Sequence, residues 1–294
     1  MSAVILDGKA LALKKREEIK QQIDCLKSKG LCPGLAVILV GEDPASKVYV
    51  NNKKKACEQT GIYSEVHLLP ENTSEADLLT LIDRLNKQEN IHGILLQAPI
   101  PAHLNYQKIS ETISPFKDVD AFHPYNVGKI MMGDYDLLPC TPAGVIELIK
   151  SSGTEIAGKH CVVVGRSNIV GKPQAMLLLH ENGTVTICHS KTPDLKQVTR
   201  TADILVSAVG RAKVITADMI KEGAVVIDVG MNRNEQGKLC GDVDFEPVCE
   251  VAGYITPVPG GVGPMTITML LKNTVKAAQL FWEKQGKLPF GYSC

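Results

Sequence analysis

Seven short runs of aliphatic and β-branched residues recur along the chain, most of them followed by a stretch with helical periodicity. That alternation restricts the fold to the α/β class with a mainly parallel sheet, because parallel strands need crossover connections and helices usually supply them. The expected strands are 35–40 (LAVILV), 65–69, 91–97, 160–164, 184–188, 204–208 and 225–229. The expected helices are 10–29, 45–60 closed by Gly61, 74–88, 142–151, 170–180, a short one near Lys196, and 265–284. In the third of these, Leu78, Leu79, Leu81, Ile82 and Leu85 recur with helical spacing behind a capping Ser74.

A chain of 294 residues fits two domains at roughly 150 residues each. The texture changes after Asp118, and the stretch 117–142, rich in Gly, Pro, Tyr and Asp, is the candidate connection. We expect one domain from 1–141 completed by 266–294, a second, Rossmann-like domain at 142–265, and a cleft between them. Lys plus Arg and Asp plus Glu both count 32, which argues against nucleic acid or an anionic membrane surface as partner. No apolar run approaches the roughly 18 residues of a spanning helix, and Asp7, Glu17 and Glu18 do not suit a leader peptide. The nine cysteines are odd in number and lack C-x-x-C spacing, so neither a disulfide framework nor a metal site is expected. The expected compartment is a reducing, cytoplasmic one.

Three places carry chemistry. Residues 162–171 read VVVGRSNIVG, a strand running into a Gly turn and a helix, the arrangement that holds phosphates in open α/β sheets. The pattern departs from G-x-G-x-x-G at Ser167, and from the Walker pattern in its spacing and at Pro173. By itself it does not separate a phosphate cradle from a plain turn at Gly165. The end of the next strand adds information. Where an NAD site offers an acid to the ribose, this chain has His189, Ser190 and Lys191, with Arg166 on the first turn. Hydroxyl and cationic donors suit an extra 2′-phosphate and favour NADP.

On the helix at 45–60, Tyr49 and Lys53 lie four apart and share a face. A buried lysine there would have its pKa lowered and could exchange protons near neutrality; on spacing alone an exposed basic face is the commoner arrangement. Gln97 ends a strand before Ala98-Pro99-Ile100-Pro101 and suits a rigid ligand wall or a loop hydrogen bond. Asp120 could accept two N–H bonds from an amino-pyrimidine edge, or cap a turn. The run TPVPGGVGPMT at 256–266 lets backbone approach a ligand at Gly260 and Gly261, or simply connects domains.

Taken together, the blocks PASKVYVNNKKKACEQTGI, GILLQAPIP, KDVDAFHPYNVGKI, PCTPAGVIELI, GKHCVVVGRSNIVGKP, TICHSKT, VIDVGMN, GDVDF and ITPVPGGVGPMTITMLL resemble the bifunctional methylenetetrahydrofolate dehydrogenase/methenyltetrahydrofolate cyclohydrolase family, nearly end to end. The resemblance implies a folate-binding catalytic first domain and an NADP-binding second. It implies that Tyr49 orients the pterin, Lys53 is the central catalytic lysine, Gln97 bonds near Lys53, and Asp120 holds the amino-pyrimidine edge. Pro259, Gly260 and Gly261 would line the folate. Gly165, Arg166, Ser167, His189 and Ser190 would hold the dinucleotide, and Met231 would touch its nicotinamide end. No metal and a homodimer are implied. Two departures stand out, Ala98 where Leu is common and Ala121 where Gly is common. The rival readings are another two-domain NADP dehydrogenase, against which the PVPGGVGP block argues, and a folate-binding module without catalysis, against which the intact Tyr49, Lys53, Gln97 and Asp120 set argues.

Overall fold

Strands buried on both faces of a parallel sheet read as unbroken apolar runs, and Gly34–Val40, buried at all seven positions, is the centre of such a sheet. The computed structural model describes residues 2–292. In chain order the first elements are β1 (Val4–Ile5), α1 (Gly8–Ser28), β2 (Gly34–Val40), α2 (Pro44–Thr60), β3 (Tyr63–Leu69), α3 (Glu75–Lys87) and β4 (Gly93–Leu96). Then come α4 (Tyr106–Thr112), α5 (Pro124–Met132), α6 (Cys140–Ser151), β5 (His160–Val164), α7 (Gly171–His180), β6 (Thr184–Cys188), α8 (Leu195–Thr199) and β7 (Ile204–Ser207). The chain closes with β8 (Val225–Asp228), β9 (Asn232–Arg233), β10 (Leu239–Cys240), α9 (Phe245–Cys249), β11 (Tyr254–Ile255) and α10 (Val262–Lys284).

These elements form two units. The three-stranded unit holds residues 14–140 and 267–292, and the six-stranded unit holds residues 2–13 and 141–266. The division falls inside α1 and inside α10. In the three-stranded unit the order is β3-β2-β4, all parallel, with Leu35 facing Ser64 and Gly93. One face of this sheet packs Ala36, Ile38, Val40, Ile94 and Leu96 against Leu78, Ile82 and Leu85 of α3. Those three are spaced four and three apart, so one stripe of the helix is buried, at about 1.5–3 kcal/mol per side chain. Ser74 caps α3 by accepting from the Asp77 N–H, and Glu75 and Asp77 suit the positive end of the helix dipole.

The six-stranded unit has the parallel order β1-β11-β8-β7-β5-β6, with a separate β9-β10 hairpin. Its core gathers Val162, Val164, Leu205, Val226, Ile255 and Ala3. From β5 onward the strand order is 2-1-3-4-5, a doubly wound sheet whose order reverses between β5 and β7. The α/β class and the Rossmann-like second domain are thus observed.

Two expectations need correction. The first thirteen residues were expected in the first domain, but β1 lies alongside β11, with Val4 opposite Tyr254 and the Leu6 N–H donating to the Ile255 carbonyl at 2.8 Å. That partner is about 250 positions away in sequence, so no local pattern marks it. The stretch 117–142 is no bare connection: it carries α5, capped by His123, with Pro124 in the first turn and Gly133 behind it. Cys32, Cys57, Cys140, Cys161, Cys188, Cys240 and Cys249 are free thiols. Among the described residues no helix is long and apolar enough to cross a membrane, and no group of three His, Cys, Asp or Glu could hold a metal.

Candidate functional site

In the three-stranded unit the strand order reverses between β2 and β4, so the crevice beyond their carboxyl ends is where an α/β sheet admits a ligand. Three elements deliver side chains there. The first is α2, whose start is set by Asp43 accepting from the Ser46 N–H at 2.7 Å and by Pro44 in its first turn. This places Tyr49 and Lys53, both half-buried, one turn apart. The second is the residue after β4. Gln97 continues the ladder by donating its N–H to the Ile38 carbonyl at 2.9 Å. Its side-chain amide donates to the Ala98 carbonyl at 2.6 Å, which turns Oε1 toward Lys53, and the Lys53 Nζ donates to it at 2.8 Å.

The third element is the loop 117–121, laid alongside β4. The Ile94 N–H donates to the Lys117 carbonyl at 2.8 Å, and Val119 is fully buried against Gly93. Asn273 of α10 donates to the Val119 and Leu138 carbonyls, both at 2.7 Å. Asp118 accepts from the His123 N–H at 2.8 Å and from Asn126 Nδ2 at 2.9 Å. Asp120 is therefore presented on a pinned backbone. The next residue, Ala121, is fully buried with φ 57°, a left-handed conformation that suits the Gly common at this position in the family it resembles.

Electrostatics couple these groups. Burial pushes the Lys53 amine below the usual lysine range, and the negative charge of Asp120 opposes that shift. Burial pushes the Asp120 carboxyl up to about 6, against the pull of Lys53. Cys140, buried at the start of α6, belongs to the same cluster: burial and Asp120 hold its thiol well up, and its Sγ meets the Val119 carbonyl at 3.3 Å. Sequence reasoning weighed the cysteines as disulfide partners or metal ligands and missed this one. The signal was the PCTP block, which carries a cysteine just before a helix. Lys53, Gln97 and Asp120 are brought together, with Tyr49 on the same helix. The lowered pKa makes the amine readier to give up and retake a proton, and the carboxylate can accept N–H bonds.

The six-stranded unit holds the other expected residues at its own reversal. Gly165 follows β5 with φ 143°, and a Cβ there would lie 2.4 Å from the Ala208 carbonyl oxygen, so only glycine fits. Ser167 accepts from the Val170 and Gly171 N–H groups at 3.1 and 3.3 Å and so shapes the start of α7. Arg166 is exposed beside it. After β6 the chain turns tightly. The His189 N–H donates to Thr192 Oγ1 at 2.9 Å and its Nδ1 accepts from the Lys191 N–H at 3.1 Å, leaving Ser190 and Lys191 exposed. Met231 is 52% exposed on the loop after β8. Pro259, Gly260 and Gly261 also lie in this unit, between β11 and α10.

A doubly wound sheet with a glycine-built crevice and cationic donors, in one chain with a buried lysine–amide–carboxylate set, defines a two-unit α/β enzyme of the dinucleotide-using class. Residues 6–120 match the model of the tetrahydrofolate dehydrogenase/cyclohydrolase catalytic domain, and residues 139–281 match that of its NAD(P)-binding domain. The bifunctional protein FolD of Halalkalibacterium halodurans is 63% identical over 279 residues, covering 95% of this chain and 100% of that protein. Among solved structures, the Campylobacter jejuni bifunctional enzyme is 52% identical with TM-score 0.92, covering 95% of this chain and 99% of that one. The Trypanosoma brucei enzyme, complexed with NADP and an inhibitor, is 40% identical with TM-score 0.91, covering 95% and 98%. The chain belongs to the tetrahydrofolate dehydrogenase/cyclohydrolase family, as a bifunctional methylenetetrahydrofolate dehydrogenase and methenyltetrahydrofolate cyclohydrolase.

Proposed function

We propose that Lys53 is the proton-transfer group of the cyclohydrolase step, held by Gln97 and tuned by Asp120. In that step water adds to the methenyl carbon and the bond from that carbon to N5 breaks. The Lys53 amine takes one proton from the attacking water and returns it to N5. The second water proton leaves to solvent, and 10-formyltetrahydrofolate results. The observation that carries this reading is the 2.8 Å bond from Lys53 Nζ to Gln97 Oε1 beside a carboxyl raised to about 6. Gln97 accepts from the amine in either protonation state, which keeps the nitrogen aimed while its charge changes. Asp120 is assigned to the pterin amino-pyrimidine edge, with Tyr49 orienting the ring.

For the dehydrogenase step we assign the dinucleotide to the crevice after β5 and β7. A cradle that a Cβ at Gly165 would fill, together with exposed Arg166, Ser190 and Lys191 and no acid at the end of β6 before Asp194, fits NADP. When bound, NADP+ supplies the hydride acceptor. Gly165 admits the backbone, and Ser167 sets the turn. Arg166 and Ser190 hold the 2′-phosphate, with His189 ordering the loop, and Met231 bounds the nicotinamide end. The proposal extends to a homodimer working in the cytoplasm, on the family resemblance. The experiment follows NADPH formation from 5,10-methylenetetrahydrofolate and, separately, loss of the methenyl chromophore. Robust methenyl hydrolysis by Lys53→Met removes the assignment of Lys53.

A further inference from the structure

The VIDVGMN and GDVDF runs have no part in the roles assigned so far, apart from Met231. The structure joins them through two buried carboxylates. Asp228, the last residue of β8, accepts through Oδ1 from the N–H groups of Gly230 and Asp242, and through Oδ2 from that of Val243, each at 2.9 Å. Asp242 follows the β9-β10 hairpin and is fully buried. Its Oδ2 accepts from Ser207 Oγ at 3.1 Å, from the Val209 N–H at 2.6 Å and from the Gly210 N–H at 3.2 Å. Its Oδ1 accepts from the Arg211 N–H at 3.0 Å and from Asn232 Nδ2 at 2.9 Å. A carboxylate offers about four lone-pair sites, so every one is used.

The partners show what this side chain does. Val209, Gly210 and Arg211 form the loop that leaves β7, and Asn232 stands at the end of the loop that leaves β8. Both loops rise from carboxyl ends of strands next to the reversal at β5 and β7. Ala208, at the root of the first loop, is the residue whose carbonyl crowds Gly165, and Met231 lies on the second loop. The hub also leaves no room at its side: a Cβ on Gly230 would come within 2.2 Å of Asp242 Oδ1. A buried charge is costly unless its bonds are met, and here the bonds that meet it are mostly main-chain donors of a loop.

We propose that Asp242 is a positioning residue of the dinucleotide crevice: it holds the 209–211 and 230–232 loops at one spacing without touching the cofactor. This rests on the assignment of NADP to that crevice. An asparagine in its place keeps the shape but has one accepting oxygen, and its NH2 faces N–H donors, so the loops lose their common anchor while the hydrophobic core is unchanged. Asn232→Ala cuts a single tie between the loops and keeps Asp242.

The test titrates the full chain with NADP+ by calorimetry, measures the KM and kcat of the dehydrogenase, and records thermal melts. Losing charge-assisted hydrogen bonds predicts a Kd for NADP+ raised about tenfold or more in Asp242→Asn, and about threefold in Asn232→Ala. The KM for NADP+ rises with it, and kcat at saturating NADP+ falls by a smaller factor. A folded Asp242→Asn whose Kd stays within about twofold of wild type overturns the proposal, given the bond strengths above. If that variant does not fold, an unchanged Kd in Asn232→Ala overturns it instead. Wild-type protein that fails to bind NADP+ removes the cofactor assignment itself, whereas normal wild-type binding with unaltered variants removes only the role of Asp242.

Discussion

Replacing Gly165 with alanine tests the crevice after β5 most directly. Its φ of 143° is open to glycine and strained for any residue with a Cβ, at about 1–2 kcal/mol. The added carbon would also sit 2.4 Å from the Ala208 oxygen and 3.0 Å from its carbonyl carbon, against an ordinary contact of 3.4 Å or more. Ala208 cannot simply move aside, because its N–H donates to the Val164 carbonyl at 2.8 Å and continues the β5-β7 ladder. The strands must part by about 1 Å, an overpacking cost of about 1–3 kcal/mol. Together these effects destabilise the six-stranded unit by about 2–5 kcal/mol, or roughly 5–15 °C in Tm. Gly158→Ala is the control: φ is 74° there but no atom lies within 4 Å, so only the backbone strain is felt. The assays are a far-UV circular dichroism melt and the KM for NADP+. We expect Gly165→Ala to melt well below Gly158→Ala, with the KM for NADP+ raised about tenfold or more by displaced phosphate donors. Equal melting losses for the two variants, with an unchanged KM, refute the reasoning.

Three further outcomes are expected. Lys53→Met should lower the cyclohydrolase rate by about a hundredfold or more, the usual reach of a positioned proton-transfer group; near-normal turnover in a methenyl absorbance assay contradicts the assignment. Asp120, raised to about 6 from 3.8, binds more protons folded than unfolded across that window, so its contribution to stability falls as pH rises from about 4 to about 6. The difference in Tm between wild type and Asp120→Asn should therefore move against wild type over that range, and folate KM should rise as pH drops below about 6 in wild type only. Arg166→Ala should raise the KM for NADP+ by about ten- to a hundredfold and that for NAD+ much less; equal losses would leave Arg166 as a residue of the turn.

What the sequence disclosed and what it hid have a common cause. The strand His160–Val164 and the helix ending at Gly61 were legible because their signals are local: an unbroken apolar run in one case, a terminating glycine in the other. The helix also showed that Tyr49 and Lys53 share a face. Nothing local could show that Gln97, 44 positions further on, turns its amide oxygen to Lys53. Equally hidden were β1 and β11, two residues each, whose pairing spans most of the chain, and the five donors around Asp242. All of these depend on strand order, which side-chain periodicity does not encode. Once the orders β3-β2-β4 and β6-β5-β7 are known, the two sites obey one rule. Gln97 and Gly165 each follow a strand that borders a reversal, β4 in one sheet and β5 in the other. The crossover helices leave in opposite directions at such a point, so the carboxyl ends of the two strands stay open. A side chain that must meet a ligand is exposed there without breaking the sheet, and a glycine there lets the ligand meet backbone. The same topology thus supplies an amide aimed at an amine in one unit and a bare main chain in the other, and the residue after the strand decides which chemistry each crevice can hold.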